Sequence, residues 1–189
     1  MADVLQLVMG GQLIAFFALR LAHEPAADKK VDLKEHGLFR VSMTLLAVCQ
    51  VGILLGLVLN PIAFAFADIN LPIAIRWFGA GFGVLVLGGL AWTYQSLGDS
   101  YHSILHLDND QKLVTDGPYR LVRHPLYTGL FLIFFAFFVQ ASNWLVLVFG
   151  IGGLSVLLLV RVPKEEALLV SHFGNTYRVY MNQTNRFFP

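Results

Sequence analysis

Five long apolar blocks, separated by short polar stretches, dominate the sequence and limit the folds open to it. They fall at residues 4–21, 38–59, 73–97, 125–139 and 144–160. A helix needs about 20 mostly apolar residues to cross roughly 30 Å of hydrocarbon. The first three blocks approach or exceed that length, and the last two are shorter. Only Gln140-Ala141-Ser142-Asn143 lies between those two. The expected fold is an all-α integral membrane protein with five transmembrane helices, the fourth and fifth forming a tight helical hairpin. Charged residues make up 13% of the 189, where a soluble domain carries about 25%. A disordered chain needs the opposite balance and is excluded. The net charge of +1 offers no basic excess for nucleic acid. The first block is preceded by Asp3 and no basic residue, and no small-residue cleavage site follows it. It reads as a retained helix and not as a signal peptide.

Basic residues alternate between the connections. Lys29, Lys30 and Lys34 lie in the first, Lys112, Arg120 and Arg123 in the third, and Arg161, Lys164, Arg178 and Arg186 in the tail, while the fourth has none. By the positive-inside rule the N-terminus lies outside and the C-terminus in the cytoplasm. Gly52/Gly56 and Gly79/Gly83 are spaced for close helix packing. The Gly79-Gly81-Gly83 string lies inside an apolar block, not between a strand and a helix, so it is no phosphate loop. Cys49 is the single cysteine, which excludes an intramolecular disulfide, and its apolar block suggests a packing role.

Chemistry must come from the polar stretches. Residues 98–124 contain two turn signals, Asp108-Asn109-Asp110 and Asp116-Gly117-Pro118, and suggest a cytoplasmic lid. His124 precedes Pro125, which suits the first turn of the fourth helix. A helix N-terminus there presents free backbone N–H groups to an anion, with Arg123 and His124 beside it. The same residues also suit a plain anchor at the membrane face. In the tail, Arg161 and Glu165 are four apart and share a helix face. Arg161 leaves the fifth block near membrane depth, where an ionisable residue is costly unless paired or functional. Pro163 is positioned to kink the helix between them. Lys164 and Glu166 point elsewhere and are expected to be solvated. Gly174 is placed to end that helix, so that Tyr177 and Tyr180 sit on a second short one. No HExxH or multi-carboxylate cluster is present, and no metal site is expected.

The stretch LVTDGPYRLVRHPLYTG resembles the signature of isoprenylcysteine carboxyl methyltransferases and their prokaryotic relatives. The stretch RVPKEEALLVSHFGNTYRVYMNQTNRFFP resembles their C-terminal motif, a basic residue and paired glutamates followed by FGxxYxxY and a terminal aromatic-Pro. The likeness covers residues 98–189 and is nearest to five-span prokaryotic members. It implies one membrane methyltransferase domain over 1–189, with 1–97 a three-span scaffold and 98–189 the cofactor-binding and catalytic half. It implies S-adenosyl-L-methionine as cofactor, held by Gln111, Lys112, Leu113, Val114, Tyr119, His124, Pro125, Leu126, Tyr127 and Glu165, with His106 as an earlier lid contact. Arg161 and Glu165 are the implied catalytic pair, with Arg161 on the substrate. The implied substrate is a lipidated carboxylate of the prenylcysteine kind, reaching the site from the bilayer.

Three rival readings remain. One is a phospholipid amine or small-thiol methyltransferase of the same superfamily. A second is a membrane sterol-type reductase, and a third a scaffold without catalysis. A carboxylate is already ionised at pH 7 and needs no general base, whereas an amine must first lose a proton. Arg161 suits the carboxylate.

Overall fold

A computed structural model describes residues 2–23, 33–98 and 113–189. All five apolar blocks are helical. Helix α1 spans Ala2–Ala22, α2 Leu33–Leu59, α3 Ile73–Leu97, α4 Pro125–Ala141 and α5 Gly153–Phe173, and a short α6 follows at Asn175–Gln183. Three stretches are long and apolar enough to cross a bilayer: Val4–Ala22, Ile73–Leu97 and Val146–Phe173. A fourth is broken. After Leu59 the chain turns by 115° into a 3-10 helix, Pro61–Ala67. Asn60-Pro61 causes the break, because proline cannot donate the next helical hydrogen bond. At 17 residues, α4 is the shortest of the apolar helices.

Neighbouring contacts fix the directions of the helices. Gln140, near the end of α4, donates to the Leu5 carbonyl near the start of α1. At the other end of α1, His23 stacks on Tyr94 near the end of α3. A Cβ on Gly129 near the start of α4 would meet Leu90 at 2.4 Å, and one on Gly79 near the start of α3 would meet the backbone nitrogen of Gln140 at 2.8 Å. So α3 and α4 run antiparallel at a distance that only glycine permits. The main core lies between α1, α2, α3 and α4 and includes Met9, Leu54, Leu90, Ile133 and Phe137. Outward faces are apolar too. Leu7, Ile14, Leu85 and Leu159 are each more than 70% exposed, as expected of helices whose solvent is lipid.

The glycine pairs behave unequally. Gly79 and Gly83 are contact points, Gly83 against the Gln12 side chain, whereas Gly52 faces open space and Gly56 meets Phe64 of the 3-10 helix. Cys49 is exposed, which corrects its expected packing role. The polar tetrapeptide does form the hairpin turn. Ser142 adopts a left-handed conformation (φ 59°), and the Asn143 side chain accepts from the Leu145 amide. The strand-free turn then opens into a π-helical stretch, Val146–Gly152, before α5. Such widened turns leave carbonyls poorly satisfied, and Gln50 of α2 donates to one of them, Phe149, at 2.7 Å. Pro163 lies inside α5 without ending it. The helix stops at Gly174 (φ 56°), which turns the chain into α6.

Candidate active site

The polar residues gather where α4 begins and α5 leaves the apolar region. Gly117 takes φ +59°, and a Cβ there would meet the Ser96 hydroxyl at 2.6 Å, so the turn requires glycine. Pro118 then starts a 3-10 turn, Gly117–Arg120, that lays the chain against α3. Residues 122–124 run alongside the C-terminal tail. Val122 bridges Asn185, the Arg123 amide donates to Asn185, and the His124 amide donates to Arg186. Thr128 adds a hydroxyl bond to the Phe187 carbonyl at 2.8 Å. The tail is thereby tied across the mouth of α4.

Two clusters share His124. The first is half-exposed. Tyr127 donates its hydroxyl to Glu165 Oε2 at 2.7 Å, and Arg161 lies 3.8 Å from the same oxygen. The Arg161 guanidinium also sits 5.9 Å from the Tyr127 ring centre. His124 stacks on Tyr127 and has Nδ1 4.0 Å from Glu165 Oε1. The second cluster is buried. Glu166, 4% exposed, accepts from Arg123 Nε at 3.1 Å and from Arg186 through Nε and Nη2, the latter at 2.5 Å. His124 Nε2 lies 3.3 Å from Glu166 Oε1. Arg123 further donates to the Met181 and Thr184 carbonyls. The Glu166 carboxylate holds the Arg186 guanidinium above its usual range.

This second cluster corrects the expectation that Glu166 is solvated. One turn of α5 points Glu165 toward the open side and Glu166 into the tail, and only Lys164 is exposed as expected. Arg123 is likewise an internal strut and not a surface anchor. A carboxylate at this depth requires partners, and Arg123, His124 and Arg186 reach it from distant parts of the sequence. The paired glutamates were the available signal, but their two faces could not be ranked without the return path of the tail.

Other expected site residues fall nearby. Pro125 is buried at the first turn of α4, and Leu126 packs against the main core. The Tyr119 carbonyl accepts from the Tyr180 hydroxyl at 2.5 Å, and burial pushes the Tyr180 phenol up to about 12. Leu113 and Val114 are half-buried where the described chain resumes. His106, Gln111 and Lys112, with most of the expected lid, lie outside the described residues. Among the described residues no group of three or more metal-ligating side chains occurs.

Residues 80–171 match the model of the isoprenylcysteine carboxyl methyltransferase family. Over that segment, 92 of the 189 residues, the chain is similar to the family. A protein-S-isoprenylcysteine O-methyltransferase of Schizosaccharomyces pombe is 37% identical over 73 residues, which is 39% of this chain and 31% of that protein. A probable protein-S-isoprenylcysteine O-methyltransferase of Oryza sativa subsp. indica is 33% identical over 85 residues, 45% of this chain and 44% of the relative. The matches thus span less than half the length of these curated relatives. A solved structure described as the eukaryotic intramembrane Ras methyltransferase ICMT superposes with a TM-score of 0.63 at 18% identity, covering all of this chain and 68% of that one. That likeness establishes a shared fold. With the apolar helices, it makes this chain a multi-pass integral membrane protein.

Proposed function

We propose that the protein transfers a methyl group from S-adenosyl-L-methionine to the carboxylate of a lipidated, prenylcysteine-like substrate. The observation that carries the reading is the Tyr127–Glu165–Arg161 group. It sets an anionic oxygen, a cation and an aromatic ring together at one end of an apolar helix pair. The family match supports it, since the matched segment contains all three residues.

The donor set fits the cofactor. Glu165 is 30% exposed and offers a carboxylate to a cationic ligand. Tyr127, Tyr119, Leu113, Val114 and Leu126 supply apolar and aromatic contact, and His124-Pro125 fixes the start of α4. Bound S-adenosyl-L-methionine supplies an activated methyl group on a sulfonium. Arg161 holds the acceptor carboxylate, through a guanidinium suited to bidentate pairing. Because that carboxylate is already ionised, the protein's task is alignment and exclusion of water. The Glu166 cluster contributes by locking His124 and the tail in place. The roles given to His106, Gln111 and Lys112 rest on the sequence resemblance.

All side chains of both clusters come from residues 113–189, in keeping with a division into a scaffold of residues 1–97 and a catalytic half of 98–189. The helices alternate in direction from α1 through α5. That supports five crossings, with α4 and the π-helical start of α5 as the short ones. The basic connections then favour a cytoplasmic site and C-terminus. The lipid tail of the substrate reaches the site through the bilayer.

Calorimetric titration of the purified protein with S-adenosyl-L-methionine tests the assignment. Binding that is weakened by Glu165→Ala and His124→Ala is expected. Absence of binding, or unchanged affinity in both variants, overturns it.

A further inference from the structure

A second polar pocket lies at the far end of α4. Gln140 lines it, and 16 residues of helix separate Gln140 from His124, a distance of about 24 Å at ~1.5 Å per residue. Its volume is about 430 Å³. The start of α1, the end of α2, the 3-10 helix and the start of α3 supply the walls, so most of it falls outside the segment that matches the family.

Two opposite charges face this pocket without meeting. Arg76 spends Nε on the Gln140 carbonyl at 2.9 Å, and Asp68 accepts from Ser142 Oγ at 2.9 Å and from the Asn70 amide at 2.7 Å. Among the described residues neither is in an ion pair. An arginine beside an apolar helix bundle is costly unless paired, and the Gln140 carbonyl engages the Arg76 Nε while no carboxylate among the described residues meets its charge. Nor is the rim loose. Ser142 also accepts from the Leu71 amide, its carbonyl accepts from Ile69, and Asp68 bridges Asn143. The charges are therefore held apart by a fixed scaffold. Gln140, 1% exposed, has a side-chain oxygen with no hydrogen-bond partner, although its nitrogen is used. Leu5, Met9 and Leu57 give the remaining wall an apolar character.

We infer that this pocket binds a zwitterionic phosphate–ammonium group, as carried by a zwitterionic glycerophospholipid. Arg76 takes the phosphate, Asp68 faces the ammonium, and the apolar wall takes the start of the acyl chains. The site is separate from the methyl-transfer site, and its test does not depend on turnover.

The test is native mass spectrometry of the full chain in detergent, titrated with phosphatidylethanolamine, phosphatidylglycerol or free glycerophosphoethanolamine. Saturable binding of one phosphatidylethanolamine per chain, in preference to phosphatidylglycerol, is expected. Arg76→Gln should weaken it roughly tenfold or more, from the loss of a charged hydrogen bond, and Arg76→Lys should weaken it less. Asp68→Asn should erase the preference for the zwitterion. Because Asp68 also braces the rim, Ala65→Trp serves as a second variant that fills the pocket and leaves both charges in place. It should block binding. Free glycerophosphoethanolamine competing as well as the lipid supports a headgroup site that ignores the chains, and weaker competition supports the lipid. Equal binding of both lipids, or unchanged binding in Arg76→Gln and Ala65→Trp, overturns the inference.

Discussion

Glu166→Gln tests the architecture of the site more sharply than any change at its open side. The substitution keeps the shape of the side chain and removes its charge. The side chains of Glu166 and Arg123 are 5% and 10% exposed and 3.1 Å apart, so their pair is shielded from solvent. Arg186 is 47% exposed, and its share is reduced by screening. Breaking a buried pair by removing one partner costs about 3–5 kcal/mol. The amide retains some hydrogen bonding, which leaves an expected loss of roughly 2–3 kcal/mol in the docking of the tail. That is about a 30- to 150-fold increase in the open population. Hydrogen exchange of residues 175–189 in detergent reads it directly. Faster exchange there, with residues 125–141 near wild type, is the expected pattern. His124 loses one of its partners at the same time, so affinity for S-adenosyl-L-methionine should also fall. Unchanged protection of the tail in Glu166→Gln would refute the claim that this carboxylate holds it.

Further outcomes follow from the same geometry. Tyr127→Phe removes the 2.7 Å bond to Glu165 and should weaken cofactor binding about tenfold by calorimetry, as expected for a hydrogen bond to a charged group. Combined with Glu165→Gln, it should add little further loss in a double-mutant cycle. Arg161→Ala should abolish methyl transfer while leaving cofactor affinity largely intact, and a large loss of affinity would reassign Arg161 to the cofactor. Gly79→Ala drives a methyl group to within 2.8 Å of the α4 backbone and should cost roughly 1–3 kcal/mol in thermal stability. Gly52→Ala meets nothing within 4 Å and should instead be neutral or stabilising by up to about 1 kcal/mol.

The helices were legible because apolar run length is a direct physical signal, and Pro61, Gly174 and Pro125 mark boundaries by known backbone rules. The hairpin turn at Ser142-Asn143 was equally visible. Details that depend on packing were not. The widened π stretch at residues 146–152, one carbonyl of which is met by Gln50 of α2, has no signature in the apolar pattern. The same spacing made Gly52 and Gly83 look equivalent, yet one faces outward and the other meets Gln12. At the site, the Arg161–Glu165 pair followed from helical periodicity. Glu166 did not, because its partners Arg123 and Arg186 lie 43 and 20 residues away. The folding back of the tail decides which glutamate is internal, and a local pattern carries no such information.

Methyl transfer itself is the deciding measurement. Purified protein with labelled S-adenosyl-L-methionine should label a lipidated thioether carboxylate such as a prenylcysteine analogue, and Arg161→Ala should not. Labelling of phosphatidylethanolamine in place of every carboxylate offered, or undiminished transfer by Arg161→Ala, would contradict the account.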